Sequence, residues 1–202
     1  MHNHPQTLSF YNSNAEQYIA ETLDLDISKN RDVFLSYIPK GGHILDLGCG
    51  SGRDSRSFID NGYSVTAVDG SKEIATVASD FIGQTVEVKM FQDLDYINVF
   101  DGIWACASLL HCPKSEIADV MFKINQALKT NGVVYMSFKY GQGERVDERG
   151  RFFNDYTETE LSELIFAQAG LSIVELSTEL KPLRAGFQSW LNLIAKKERE
   201  YE

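Results

Sequence analysis

The sequence predicts an α/β fold with a doubly wound, mostly parallel sheet and helices on both faces. Two observations carry this. From residue 43 onward, short apolar runs alternate with helix-compatible segments, separated by breakers such as Asn61-Gly62, Gly83, Pro113 and Asn131-Gly132. The first run, residues 43–47, leads into three glycines at alternate positions (Gly48, Gly50, Gly52) and then a helical stretch, the order of a nucleotide-type βα turn.

The elements follow from local signals. Strand-like runs cover residues 43–47, 64–68, 86–90, 102–105, 133–138, 172–176 and 190–195. Helical segments lie near 14–25, 29–38, 53–61, 72–81, 114–129 and 157–169. Ser13 and Glu16 stand at capping-box spacing before the first helix, and Pro39 with Gly41-Gly42 closes the second. Residues 1–10 read as loose chain. The link 177–189, with Pro182 and Gly186, reads as a long loop between two final strands.

The glycine turn has a chemistry of its own. Glycine permits φ > 0 and lets a ligand approach without a Cβ in the way. The unpaired amides at the next helix start suit an anionic group. Asp69 ends the second strand about twenty residues past the glycines, where a carboxylate can accept bonds from both hydroxyls of a ribose; it is also placed to cap the next helix. The order here is Asp46-x-Gly48-x-Gly50-x-Gly52, not the dinucleotide pattern G-x-G-x-x-G. A carboxylate before the first glycine would repel a pyrophosphate and suits a ligand carrying an ammonium group.

Bulk properties narrow the class. With 202 residues, 43% apolar and 24% charged, the chain is long enough for one domain with a substantial core. The net charge of −10 lacks the pull on phosphates that nucleic-acid binding uses, and argues against an anionic membrane surface. Three cysteines, Cys49, Cys106 and Cys112, show no disulfide or metal-ligand spacing, so no metal is expected. The polar start and the absence of any spanning apolar run predict a cytoplasmic protein.

At the glycine turn the chain resembles the class I (Rossmann-like) S-adenosylmethionine (SAM)-dependent methyltransferases, and within them small bacterial members of unassigned substrate; more loosely it resembles the tellurite-resistance methyltransferases. The resemblance spans roughly residues 10–196. It implies one domain over 1–202, with an N-terminal helical cap (1–40) closing over a Rossmann-like core (41–202), and a seven-stranded sheet whose last strand is antiparallel. SAM is the implied cofactor and S-adenosylhomocysteine the product. In the family this turn cradles the aminoacid end of SAM, which assigns Asp46, Gly48, Cys49, Gly50 and Gly52 to it. Arg53 either reaches the SAM carboxylate or is a solvated helix residue. Asp69, Gly70 and Ser71 would meet the adenosine; Gln92, Asp93 and Leu94, after the third strand, would meet the adenine, with Asp93 favoured over Asp95. Ala107 and Ser108 would line the methionine part.

The resemblance also places the acceptor end. His111, after the fourth strand, stands at the mouth, as a substrate-orienting or proton-accepting group or as a histidine packed under the lid. Tyr11 and Tyr18 share one helix face, either closing over SAM and the substrate or forming a core stripe. Lys139, Tyr140, Arg145, Phe152 and Tyr156 belong to the segment 138–156, where the family builds its substrate cover; a solvated loop is the other reading. Nearby cations suit an anionic substrate, although Glu144, Asp147 and Glu148 nearly cancel them. The implied function is methyl transfer to a small molecule by a monomer or homodimer. A tRNA wobble-base methyltransferase, a non-catalytic SAM-binding regulator and an NAD enzyme are the rivals, the last disfavoured by the glycine spacing.

Overall fold

The computed structural model describes residues 5–182 and 186–199. Its helices are α1 (Pro5–Ser13), α2 (Ala15–Thr22), α3 (Ser28–Leu35), α4 (Arg53–Asp60), α5 (Lys72–Ile82), α6 (Ile117–Ala127) and α7 (Glu158–Phe166). Its strands are β1 (His43–Leu47), β2 (Ser64–Asp69), β3 (Glu87–Val88), β4 (Phe100–Ala105), β5 (Leu128–Lys139), β6 (Gly143–Val146), β7 (Phe152–Asp155), β8 (Leu171–Pro182) and β9 (Phe187–Lys197).

Seven strands form one sheet in the order β3-β2-β1-β4-β5-β9-β8. The pairs from β3 to β5 are parallel, and β9 runs antiparallel between β5 and β8. The chain direction of winding reverses between β1 and β4, so a crevice opens beyond the carboxyl ends of those strands. Alternation along the strands feeds two cores. Ile44 and Trp104 join Phe34 and Phe58 on the α3/α4 face, where Trp104 stacks on Tyr135 with centroids 3.9 Å apart. Leu45, Leu47, Ile103 and Ala105 point the other way, onto Met121 and Ile124 of α6 and Leu161 and Ile165 of α7. The cap of α5 is Ser71, which accepts from the Ile74 amide, rather than Asp69, and at α7 Thr157 and Glu160 form a capping box.

Five expectations are corrected. Residues 5–10 are helical: a proline opens α1, and the helix is held by tertiary contacts rather than by an apolar stripe, since Thr7 is its one buried residue. Ser13 therefore ends a helix instead of capping one; Asn14 separates α1 from α2 and donates to the Phe10 carbonyl. The third strand shrinks to two residues at an exposed edge. The final strands extend through most of 177–189, because their polar, two-sided residues satisfy the backbone by pairing, Pro182 opposite Phe187, while leaving little apolar alternation to read; the short link at 183–185 lies outside the described residues. Segment 143–155 is a separate hairpin of β6 and β7 rather than a loop.

Glycine at position 102 lets α3 approach the sheet. A Cβ there would stand 2.6 Å from Phe34 Cζ and closer still to Ile38. Gly102→Ala should therefore cost about 1–3 kcal/mol by overpacking; chemical denaturation measures this, and an unmoved midpoint would show that α3 is not seated on Gly102.

Candidate active site

The glycine turn after β1 is fixed from below by β2. The amides of Gly48 and Cys49 both donate to the Val68 carbonyl at 2.9 Å. Gly48 (φ 77°) and Gly50 (φ 55°) hold left-handed backbone. A Cβ on Gly48 would meet Ser108 Cβ at 2.5 Å, and one on Gly50 would stand 3.3 Å from the Tyr18 hydroxyl oxygen. Both glycines are thus required by conformation and by space. Gly52 differs: a Cβ there would strike Ile82 on α5, so it is a packing glycine facing away from the crevice.

Asp69 closes the crevice floor. One carboxylate oxygen accepts from the Gly50 amide at 3.0 Å and the other from the Ser71 amide at 2.9 Å. Burial raises its pKa, opposed by those two amides. Each oxygen keeps an unused lone pair.

A cleft forms between this floor and the N-terminal helices, with an empty volume, mouth included, of about 820 Å³. Gly48, Gly50, Asp69, Gly70 and Ser71 line one end. Gln92, Ala107 and Ser108 line the far wall, with Tyr11, Tyr18 and His111 across the mouth. Two polar atoms in this wall, Gln92 Oε1 and Ser108 Oγ, are buried and without a hydrogen-bond partner among the described residues. The Gln92 amide nitrogen is engaged by the Glu116 carboxylate, which turns its oxygen the other way. Buried polar groups are normally satisfied, so this pair in one cleft makes it the candidate ligand site; Asn125 Oδ1 and Asn154 Oδ1, outside the cleft, are also without a partner among the described residues.

Other expected residues stand elsewhere. Asp46 lies behind the turn, where it accepts from Ser55 Oγ at 2.6 Å; burial and then the Asp54 carboxylate push its pKa up. Arg53 is committed to Asp54 (2.8 Å) and to the Thr22 carbonyl (3.0 Å), so it braces α2 against α4 rather than facing the cleft. Cys49 and Leu94 are buried in apolar clusters. Asp93 is exposed and outside the cleft lining, because the turn at 91–93 directs Phe91 and Gln92 inward instead. Tyr156 is a core residue stacked edge-on against Phe138, and Tyr140 is exposed. Phe152 is buried and acts through its backbone, its amide donating to Thr7 Oγ1 at 2.8 Å. Arg145 pairs with Asp155. Lys139 lies outside the lining, over the Phe153 ring.

The sequence reading missed Thr7, Leu8, Ile74, Met90, Phe91 and Pro113 in the lining. Thr7 and Leu8 fall one turn before Tyr11, the i−4 and i−3 spacing of a shared helix face; that signal was lost by taking residues 1–10 as loose.

His111 carries a defined proton arrangement. Nδ1 stands 2.6 Å from the Phe152 carbonyl, which can only accept, so Nδ1 bears the hydrogen. Nε2, 2.9 Å from the Tyr11 hydroxyl, then accepts from it. Burial, with Arg151 and Lys139 nearby, lowers the His111 pKa to about 4 despite the Phe152 bond. Burial raises Tyr11 to about 12. At neutral pH both groups are uncharged.

This fold is a Rossmann-like domain with a helical cover over the cleft. Residues 44–132 match the methyltransferase domain family. The Bacillus subtilis protein YqeM is 29% identical over 116 residues, 52% of this chain and 47% of that one; the chain thus spans about half the length of this curated relative. A methyltransferase described as uncharacterized, from Staphylococcus carnosus, is 24% identical over 90% of this chain and 95% of its own. The Burkholderia thailandensis 1,6-didemethyltoxoflavin-N1-methyltransferase, solved with 1,6-didemethyltoxoflavin and S-adenosylhomocysteine, superposes with a TM-score of 0.77 at 24% identity, over 96% of this chain and 88% of that one. The fold is that of these SAM-dependent methyltransferase structures, and residues 44–132 carry the methyltransferase-domain match. Among the described residues no helix is long and apolar enough to cross a membrane.

The neutral His111 makes a pH prediction. Its folded pKa, about 4, lies below the ordinary 6.5, so the unfolded state binds the proton first. Stability from this group is full above pH 6.5 and falls as pH drops toward 4, by up to about 3 kcal/mol. Asp46, shifted the opposite way, loses its contribution as pH rises. Comparing wild type with His111→Gln cancels that background: the wild type should lose more stability between pH 7 and 4.5 in thermal melts. Parallel curves would refute the buried neutral imidazole.

Proposed function

We propose that the chain moves a methyl group from SAM to a small-molecule acceptor by in-line displacement. The observation that carries this is the cover. Thr7 and Tyr11 of α1 are bonded to Phe152 and His111 across the mouth, so an acceptor must fit beneath a closed helix. A bulky polymer does not suit such an entrance, and a net charge of −10 disfavours RNA. The Burkholderia neighbour, solved with a small heterocyclic ligand beside the product cofactor, supports the same reading.

The residues present suit the cofactor. Asp69, with open lone pairs, would accept from the ribose hydroxyls, with Gly70 and Ser71 beside the adenosine. Gln92 Oε1 would accept from the adenine amino group, the role expected of Asp93. Ser108 and Ala107 would flank the methionine chain. Because Arg53 is engaged elsewhere, the carboxylate end falls to the Tyr18 hydroxyl, which faces Gly50 and bonds nothing among the described residues. SAM, when bound, supplies an electrophilic sulfonium methyl. The chain's part is alignment and exclusion of water. His111 acts as a positioning residue: it accepts from the Tyr11 hydroxyl, whose oxygen in turn accepts from Arg151, so the ring is held from both sides at the mouth.

Two measurements test the proposal. Asp69→Ala should weaken S-adenosylhomocysteine binding about 10- to 100-fold in calorimetry, the value of hydrogen bonds to a charged group; an unchanged Kd would place the ribose elsewhere. A transfer assay with methyl-labelled SAM against small acids, thiols, chalcogen oxyanions and bulk tRNA should label a small molecule. Label in tRNA alone would reverse the assignment.

A further inference from the structure

Beside the cleft lies a charge cluster that cofactor binding does not use. Three cations surround one phenyl ring: Lys139 Nζ stands 3.9 Å from the Phe153 centroid, Arg145 Cζ 4.7 Å and Arg151 Cζ 5.2 Å. The same ring meets the His111 imidazole, with centroids 5.0 Å apart, which joins the cluster to the acceptor end of the cleft.

Two of the cations are answered. Arg145 pairs with Asp155 and Arg151 with Asp147, each at 2.7 Å. Lys139 forms no ion pair with a carboxylate among the described residues; its ammonium lies over the ring, with Asp155 and Asp147 acting on it only from a distance and already paired with the two arginines. It is half-buried at the end of β5. Burial, then Arg145 and Arg151, lowers its pKa. A cation–π contact returns about 0.5–2 kcal/mol, which does not replace the counter-ion that a partly desolvated ammonium normally has. The local balance is therefore one positive charge in excess, next to the acceptor end of the cleft.

We propose that Lys139 anchors a singly charged anionic group of the substrate, carboxylate in class, docked beside Phe153 with the rest of the molecule directed toward Tyr11. This rests on the transferase reading above. One unanswered positive charge matches one negative charge; a doubly charged phosphate would leave a surplus beside Asp147 and Asp155. The Phe153 ring and the buried wall around it favour an apolar body on that anion.

Calorimetry on protein loaded with S-adenosylhomocysteine tests this with phenylacetate and its neutral counterpart phenylacetamide. The wild type should bind the acid about tenfold more tightly, the ratio expected for one charge-assisted bond. Lys139→Met should lose that preference, and Lys139→Arg should restore it to within about threefold. Equal binding of acid and amide, binding of neither, or a preference that survives Lys139→Met would each overturn the anchor. S-adenosylhomocysteine affinity, measured first in all three proteins, should be unchanged and shows that they are folded. Failure of the wild type to bind it would defeat the transferase reading itself.

Discussion

The Asp69 carboxylate is the constraint around which the cleft is arranged. It sits at the end of β2 and takes one amide proton from the glycine turn after β1 and another from the start of α5. A buried carboxylate is costly, and two amide donors, each worth about 1.5–3 kcal/mol to a charge, offset part of that cost. The same bonds fix where the glycine turn stands relative to the floor. The position of Gly50 then sets how close Tyr18 can come, and the position of Gly48 sets the distance to Ser108. One side chain thus joins the two parallel strands whose ends form the crevice and leaves its remaining lone pairs facing it.

A second carboxylate secures the cover. Asp54 accepts from Arg31 of α3, Arg53 of its own helix and the Trp104 indole of β4. Against the cost of burial, the Arg53 hydrogen bonds and charge hold it below the usual carboxylate range. Arg53 also reaches the Thr22 carbonyl at the end of α2. The helices that carry Tyr18 and Phe34 are therefore tied to the sheet through charge-assisted bonds. Arg53 is withdrawn from any ligand because Asp54, its immediate neighbour, needs a counter-ion where little water reaches. Breaking such a buried pair costs more than an exposed ligand contact would return.

Much of this was legible in the sequence. The alternation of strands and helices, the glycine turn and the place of Asp69 at the end of the second strand follow from local patterns whose physical cause lies within a few residues. The errors share another cause. Asp93 and Gln92 are adjacent, and which one faces the cleft depends on a single turn of 3-10 helix, a geometry that residue types do not specify. Arg53 could be placed only by knowing that Trp104 and Arg31 converge on Asp54, contacts 50 and 23 residues away in the chain. Residues 5–10 lack an apolar stripe, and their helix is held by long-range bonds such as that from Phe152 to Thr7. The distal part of the final hairpin, 177–182 with 187–189, buries no side chain fully, so its pairing shows in backbone register and not in periodicity.

The acceptor end has a consistent electrostatic logic. Lys139 and Arg151 lie close enough to His111 to disfavour its protonation, and burial acts in the same direction. An imidazole in that field is a weak base, and its acceptor nitrogen is already taken by Tyr11. The residues at the mouth are therefore suited to hold a hydroxyl and attract a negative charge, not to remove a proton. A nucleophile that arrives with a free electron pair requires nothing more: alignment and exclusion of water suffice, and the buried ring, the neutral dyad and the unanswered lysine all serve those ends. The cations that suppress acid–base chemistry at His111 are the same ones that would draw an anion to it. On the proposed reading, a single cluster would select both the charge of the acceptor and the kind of chemistry it can undergo.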